Sequence, residues 1–221
     1  IDGIANSTIG NEWLAQHIQQ GHGPLGAAYP DVGWGMEGDT PSFLGLIPNG
    51  LNVPDRPDFG GWGGRYELYT PSVSGLGAHV EGGVPIEAET RPIWSNATDS
   101  YIPYRASDDG RANKPDTTVD EDFRTTLWRW RDDFQNDFAA RMDWCVKPFA
   151  AANHPPVPKL AMPDQISVRS GEIFNLSAAG TTDPDGDSLS YLWFHYPEAG
   201  SWKSMIRPEG AENVSHVAFR A

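Results

Sequence analysis

The clearest hydrophobic pattern in the chain lies between residues 123 and 146, where apolar side chains recur at steps of three and four. The apolar positions are Phe123, Leu127, Trp130, Phe134, Phe138, Met142 and Cys145. This spacing predicts an amphipathic α-helix, and Pro148 would end it. So many large apolar side chains on one stripe require a substantial partner surface. Cys145 lies on the stripe, so we interpret it as a small buried residue and not as a nucleophile.

Shorter patterns come before this helix. Residues 7–20 predict a helix with Trp13, Leu14 and Ile18 on its apolar side. Residues 32–36 predict a short strand, and residues 41–47 predict a second helix. Pro41 suits a first helical position, because its missing N–H would have no partner there, and the sequence Pro-Asn-Gly at 48–50 is a stop signal.

Residues 49–122 are rich in Pro, Gly and Asp, and we expect them to be mostly irregular. An irregular stretch of this length is unusual inside a compact domain. It would consist of functional loops, or it would pack against something absent from this chain.

The pattern changes again near residue 153. Residues 153–158 contain three prolines and predict a stiff, extended linker. Beyond the linker, short β-like runs alternate with turn signals, which favours an immunoglobulin-like sandwich. The predicted strands lie near 164–169, 172–177, 189–196 and 214–220. Such a domain takes about 100 residues and only about two thirds of that is present, so we expect a central piece of a longer polypeptide, cut at both ends.

The charge of the chain limits its partners. The sequence has 16 Lys and Arg residues against 30 Asp and Glu residues, a formal net charge of -14 at pH 7. No basic stripe is present, which argues against nucleic acid and anionic membranes as partners. No apolar run approaches the roughly 20 residues of a membrane span.

The Asn-x-Ser/Thr sequons of the sequence indicate an extracellular protein. The single cysteine rules out an internal disulfide framework, but four Asn-x-Ser/Thr sequons favour a secreted glycoprotein. The acceptor residues are Asn6, Asn96, Asn175 and Asn213. We therefore expect a secreted, extracellular location.

Glu37 and Asp39 are the first candidates for chemistry. On a strand, residues two apart point to the same face, and a pair of carboxylates there could hold Ca²⁺ or divide acid and base roles in glycoside hydrolysis. The alternative is that Asp39 caps the following helix and Glu37 makes a salt bridge. The spacing alone favours the alternative.

Two further groups of residues could bind a ligand or could have a purely structural role. Asn11 and Glu12 open the first helix, where a cap and a first-turn Glu are the simpler explanation. Trp62, Arg65 and Tyr66 lie in a glycine-rich stretch whose backbone could approach a ligand closely. Trp62 and Tyr66 could stack on a sugar ring while Arg65 donates hydrogen bonds to hydroxyls, or the aromatics could anchor a packed loop.

Residues 183–187 place carboxylates at alternate positions, like the start of a calcium loop. The twelfth position of such a loop, which needs a bidentate Glu, is occupied by Phe194. A structural turn is therefore favoured over a calcium site.

Several longer motifs occur together in a recognisable order. They are Asn11-Glu12-Trp13-Leu14, Gly23-Pro24-Leu25-Gly26-Ala27, Glu37-Gly38-Asp39-Thr40-Pro41-Ser42-Phe43-Leu44, Ile47-Pro48-Asn49-Gly50-Leu51-Asn52, Gly60-Gly61-Trp62-Gly63-Gly64-Arg65-Tyr66-Glu67, Leu127-Trp128-Arg129-Trp130-Arg131, Asp137-Phe138-Ala139-Ala140-Arg141-Met142-Asp143-Trp144 and Asn153-His154-Pro155-Pro156. With them the chain resembles the secreted cellulose-binding protein family that has a nucleoside-hydrolase-like domain followed by an immunoglobulin-like C-terminal domain.

The resemblance implies an α/β fold. Residues 1–152 would form the C-terminal half of a doubly wound, nucleoside-hydrolase-like domain. Residues 153–158 would be the linker, and 159–221 a truncated immunoglobulin-like β-sandwich. N-terminal and C-terminal segments of the same protein would be absent from this chain.

The resemblance also implies a metal site. In nucleoside hydrolases an N-terminal cluster of aspartates binds Ca²⁺, and a late His-Asp-Pro motif adds one more Asp ligand. Asp39 is similar to that late ligand, so Ca²⁺ is the expected cofactor, with most of its ligands in a missing N-terminal segment. Gly38 stands where the His would be, which argues against nucleoside cleavage and leaves Glu37 as a possible participant.

Two functions follow from these expectations. The first is a glycoside hydrolase acting on plant polysaccharide, with Glu37 and Asp39 in a metal-organised pocket. The alternative is a cellulose- or polysaccharide-binding protein on a hydrolase scaffold that has lost its activity. In both cases the partner is a polysaccharide or oligosaccharide.

Overall fold

The computed structural model describes residues 10–33, 41–71, 80–81, 84–85, 90–101, 104–105, 114–115 and 120–221. These residues fall into two compact units. The first lies within Glu37–Pro103 and Asp116–Arg131, and the second lies within Asp2–Met36, Tyr104–Pro115 and Asp132–Ala221. Each unit is described by itself.

Helices and strands are both present among the described residues. The α-helices are α1 (Asn11–Leu14), α2 (Gly23–Ala27), α3 (Thr125–Trp128) and α4 (Arg131–Trp144), and a π-helical turn, Ala15–Gln19, continues α1. The 3₁₀ helices are Pro41–Leu46, Pro57–Phe59, Phe149–Ala151 and Pro197–Ala199. The strands are β1 (Tyr66–Tyr69), β2 (Val80–Glu81), β3 (Val84–Pro85), β4 (Ile93–Asn96), β5 (Asp99–Tyr101), β6 (Tyr104–Arg105), β7 (Lys114–Pro115), β8 (Asp120–Asp122), β9 (Ile173–Ser177) and β10 (His216–Arg220).

All of the described strands form two-stranded antiparallel sheets: β1 with β4, β2 with β3, β5 with β8, β6 with β7, and β9 with β10. The mixture of helices and strands agrees with the predicted class, but the doubly wound parallel sheet is not among the described residues. The expectation of an irregular stretch over 49–122 was only partly right, because four-residue strands β1 and β4 pair there. Of the strand predicted over 32–36, Val32 and Gly33 are not in a strand, and the rest lies outside the described residues.

The predicted helix over 123–146 is two helices, α3 and α4, separated at Arg129 and Trp130. Trp130, Phe134 and Met142 from the predicted stripe are buried. Phe123, which precedes α3, is 51% exposed, and Cys145 is also exposed, so the predicted stripe was wrong at both of its ends. The physical reason is that α3 begins after residue 123 and α4 ends at Trp144, so the stripe does not continue onto the packed face at residue 123 or 145.

In the second unit, Leu14, Ile18 and Met142 form the buried core. Trp13, Tyr29, Val32, Phe138 and Ala139 pack around them. The predicted apolar faces of the first and last helices therefore meet each other. This contact explains why both segments are helical although α1 is short, since most helical stability in proteins comes from packing.

The C-terminal region contains fewer strands than predicted. β9 and β10 pair along their whole length, and Phe174 stacks on Phe219 at a centroid distance of 5.7 Å. Residues 164–169 and 189–196 form no strand, which corrects the prediction for both. Trp193 N–H, for example, donates to Glu212 O at 2.9 Å, but a strand requires a continuous ladder of such bonds.

Candidate functional site

Glu37 and Asp39, and with them the predicted metal ligand, lie outside the described residues. The helix predicted to follow them is present as the 3₁₀ helix Pro41–Leu46. Among the described residues, no group of three or more His, Cys, Asp or Glu side chains could hold a metal ion, so Ca²⁺ binding remains a prediction that depends on undescribed positions.

The side chain of Asn52 connects the 3₁₀ helix Pro41–Leu46 to the glycine-rich loop by hydrogen bonds. Its Nδ2 donates to Leu44 O at 2.9 Å and to Ile47 O at 2.7 Å, and its Oδ1 accepts from Trp62 N–H at 3.1 Å. Asn52 therefore adds side-chain hydrogen bonds to two carbonyls at the end of the helix, where the backbone bond from Ile47 N–H to Leu44 O is long, at 3.4 Å. The sequence analysis recognised the stop signal at 48–50 but missed this role of Asn52.

The glycines of the loop allow two backbones to pack closely. A Cβ on Gly63 would lie 2.9 Å from Gly45 N, and Gly61 has φ 140°. Trp62 is only 8% exposed, and Tyr66 OH donates to Gly63 O at 3.1 Å. In this conformation the indole of Trp62 anchors a packed loop and is not presented to solvent, so the predicted stacking on a sugar would require the loop to open.

Arg65 is held in a buried ion-pair cluster. Its Nε donates to Asp99 Oδ1 at 2.6 Å and its Nη2 donates to Thr98 O at 3.0 Å. Arg129 Nη1 lies 3.5 Å from Asp99 Oδ2, and the Asp99 side chain is fully buried. Two guanidinium groups thus neutralise one carboxylate, and the Arg65 side chain is only 13% exposed, which limits its access to sugar hydroxyls. No local motif marks Asp99, which sequence reasoning missed.

Asn11 and Glu12 lie in the second unit, whereas Trp62, Arg65 and Tyr66 lie in the first. Asn11 is the first residue of α1, not its cap, and its Oδ1 accepts from Val32 N–H at 2.7 Å. This bond ties the start of the helix to residue 32. Glu12 is exposed in the first turn, where the helix dipole favours a carboxylate.

A second ion-pair cluster joins the loop before α2 to α4. His22 Nε2 lies 3.0 Å from Asp143 Oδ1, and Lys147 Nζ donates to Asp143 Oδ2 at 2.8 Å. The hydrogen bond from Lys147, and after it the one from His22, lowers the pKa of Asp143. His22 is buried, so this cluster fixes the loop to the helix.

The 183–187 segment forms a turn, as favoured from the sequence. Asp183 Oδ1 accepts from the N–H groups of Asp185 and Asp187, at 2.8 and 3.1 Å. The carboxylate of Asp185 points to His154, whose N–H donates to Oδ2 at 2.6 Å and whose ring Nδ1 lies 3.0 Å from Oδ1. These hydrogen bonds, the side-chain one first, lower the pKa of Asp185.

The paired strands β1 and β4 present an exposed surface in the first unit. Leu68 lies directly opposite Trp94 in the register, and Tyr66 lies opposite Asn96. Leu68 is 60% exposed and Trp94 is 49% exposed. Singly exposed apolar residues are common on protein surfaces, but the register places these two side by side as one apolar pair. Neither residue was singled out from the sequence, because a sequence does not reveal which residue of a strand faces solvent.

The predicted glycosylation sites that lie among the described residues are accessible to solvent. Asn96, Asn175 and Asn213 are exposed, and Asn6 lies outside the described residues. No described helix has the length and apolarity needed to cross a membrane.

Two family models match the chain. Residues 1–66 match the nucleoside hydrolase-like domain of cellulose-binding Sde182, and residues 173–221 match the C-terminal domain of cellulose-binding protein Sde0182. No curated protein gives a significant match.

A solved structure is similar to the chain over most of its length. It is that of a nucleoside hydrolase-related hypothetical protein from Saccharophagus degradans that is associated with carbohydrate metabolism, with 30% sequence identity and a TM-score of 0.64. The similarity covers 96% of this chain and 46% of the solved chain, so this chain spans about half the length of that relative. The resemblance to cellulose-binding, nucleoside hydrolase-like proteins that the sequence motifs predicted is therefore confirmed: residues 1–66 and 173–221 are similar to two domains of those proteins, and most of the chain is similar to a nucleoside hydrolase-related structure.

Proposed function

We propose that this protein binds a cellulose-type polysaccharide and that its described part contributes binding, not catalysis. The observation that carries the proposal is the pair of family models, both named for cellulose binding, which match two separate segments of the chain in order. The surface agrees with it, since Trp94 and Tyr69 are each about half exposed. Tryptophan and tyrosine combine a large apolar face with a polar group, which suits them to binding surfaces.

The test is depletion of the protein from solution by insoluble polysaccharide. The purified chain is mixed with amorphous cellulose, and with starch as a comparison, and the unbound fraction is measured over a range of polysaccharide concentrations. We expect saturable retention on cellulose. Absence of retention on both materials would contradict the proposed function.

A second proposed function is glycoside hydrolysis, which the similarity to a nucleoside hydrolase-related protein favours. In that case Glu37 and Asp39 would be the acid and base, since a pair of carboxylates is the usual machinery for cleaving glycosidic bonds. We also propose, from the resemblance alone, that Asp39 is a Ca²⁺ ligand. Calorimetry of Ca²⁺ binding tests this when it is done on the protein together with the expected N-terminal segment, with and without Asp39→Asn, and equal affinities for the two proteins would contradict it.

We further propose an immunoglobulin-like fold for residues 159–221 and an extracellular location for the protein. The β9–β10 pair with its stacked phenylalanines supports the fold, and the four sequons and the acidic charge support the location. Detection of the protein in the medium of the cells that produce it tests the location; retention inside the cells would contradict it.

A further inference from the structure

One face of the β1–β4 ribbon combines an exposed indole, an exposed aliphatic side chain and an exposed amide. Alternate residues of a strand share a face, so the register places Leu68 beside Trp94 and Tyr66 beside Asn96 on the same side. Leu68 and Trp94 are 60% and 49% exposed, and Asn96 is exposed. We call these four residues the Trp94 face.

The Trp94 face is anchored at the end where Tyr66 lies. Tyr66 is partly buried and its hydroxyl donates to Gly63 O at 3.1 Å, and Ala97 N–H donates to Arg65 O at 3.2 Å just beyond the ladder. The buried Arg65–Asp99 ion pair lies next to this end. The backbone that carries Trp94 is therefore held before any ligand arrives, which reduces the entropy lost on binding.

We propose that the Trp94 face is the surface that contacts polysaccharide, with the indole of Trp94 stacked on a sugar ring and the amide of Asn96 bonded to hydroxyls. This inference rests on the proposed function. A pyranose ring has one face of C–H groups and a rim of hydroxyls, so it matches an apolar aromatic surface bordered by an amide that both donates and accepts hydrogen bonds. Leu68 widens the apolar area opposite Trp94.

The charges around the Trp94 face select a neutral glycan. None of its four side chains is charged at neutral pH, and Glu67 points to the other side of the ribbon because it lies between Tyr66 and Leu68. The whole chain has a formal net charge of -14, which repels polyanions such as polygalacturonate. A neutral, cellulose-like glucan is therefore the expected occupant.

Asn96 was also predicted as a glycosylation site, and the two roles exclude each other because an attached glycan would cover the Trp94 face. The test therefore uses protein made in a host without N-glycosylation. The variants are Trp94→Ala, Trp94→Phe and Asn96→Ala. Trp202→Ala is the matched control, since Trp202 is 62% exposed and belongs to the other unit.

Retention on amorphous cellulose is measured for each protein, and thermal unfolding confirms that each is folded. We expect Trp94→Ala to weaken retention by about tenfold or more, as for a central aromatic contact, and Trp94→Phe to retain most of it. Trp202→Ala should bind like the unchanged chain. Should Trp94→Ala fail to fold, Asn96→Ala decides, with an expected loss of about threefold, a typical figure for one hydrogen bond.

Three results would overturn the inference. The first is an unchanged affinity for cellulose in the Trp94→Ala variant, or in Asn96→Ala if Trp94→Ala does not fold. In that case the proposed function stands, and only the assignment of the Trp94 face as the binding surface is wrong. The second is preferential retention on polygalacturonate, which contradicts a neutral occupant. The third is no binding of the unchanged chain to any polysaccharide, which removes the proposed function as well.

Discussion

Arg65 donates from Nε to Oδ1 of Asp99 at 2.6 Å, and the Asp99 residue is only 1% exposed. The two residues are 34 positions apart in the sequence. Arg65 directly precedes β1 and Asp99 is the first residue of β5, so this pair joins two separate sheets of the first unit. Arg129, which follows α3, approaches the same carboxylate from a third segment.

Replacing Asp99 with alanine should strongly destabilise the first unit. The change leaves two guanidinium groups beside a cavity with no anion, and breaking a buried ion pair costs about 3–5 kcal/mol in the free energy of unfolding. Urea denaturation followed by fluorescence measures it. The control is Asp58→Ala, which removes the exposed ion pair with Arg56 and should change the denaturation midpoint little. Similar midpoints for both variants would contradict a structural role for Asp99.

The Arg65–Asp99 pair shows why the site could be predicted only in part. The sequence indicates that the glycine-rich loop can approach another chain segment closely, because it places four glycines around a tryptophan. It could not separate a packed loop from a sugar-binding loop, since that depends on Asn52, Gly45 and Asp99, which contact the loop from other segments. The exposure of Trp94 likewise depends on how the β1–β4 ribbon folds, so the sequence alone does not predict it.

Replacing Gly61 with alanine tests whether the loop needs its close approach to Asn52. Gly61 has φ 140°, and a Cβ there would overlap Asn52 Oδ1. The variant should lose the Asn52–Trp62 hydrogen bond and gain backbone strain, together about 1–4 kcal/mol in the free energy of unfolding. Thermal unfolding measures it. The control is Gly45→Ala, where a Cβ has nothing within 4 Å; a larger loss there than at Gly61 would refute the packing described for the loop.

The core of the second unit was the most predictable part of the molecule. Leu14, Ile18 and Met142 were expected on apolar helical stripes, and they meet in the structure. Periodicity succeeded because burial of one helical face is a local property that repeats along the sequence. It failed for Phe123 and Cys145, where the stripe extends in sequence before α3 begins and after α4 has ended.

Replacing Ile18 with alanine should destabilise the second unit. Ile18 is fully buried, and truncation of a buried isoleucine costs about 2–5 kcal/mol. The loss should appear in urea denaturation as a lower midpoint. Leu25→Ala is the matched control, because Leu25 is 59% exposed and its truncation should cost well under 1 kcal/mol, like most surface substitutions. Equal losses for the two variants would contradict the described core.

The stability that the contact between His154 and Asp185 provides should depend on pH. The pKa of Asp185 is lowered, first by the hydrogen bond to the His154 side chain and second by the His154 N–H. A carboxyl whose folded pKa is depressed contributes stability above its unfolded pKa, and this contribution is lost as the pH falls through the folded value. The contact should therefore loosen only in acid, below the ordinary pKa of an Asp side chain.

His154→Ala should raise the pKa of Asp185 toward its ordinary value without restoring it fully, because the N–H of residue 154 still donates to Oδ2. Carbon-13 NMR of the Asp185 carboxyl over an acid titration measures the change directly. The control is His216→Ala, since His216 is exposed and its ring Nδ1 contacts Ser215; the Asp185 pKa should not move in that variant. If the Asp185 pKa is the same in His154→Ala as in the unchanged chain, the side-chain contact does not form in solution. The linker at residues 153–158 would then be joined to the C-terminal region by the bond from His154 N–H to Asp185 and by the two backbone bonds between Val157 and Thr182.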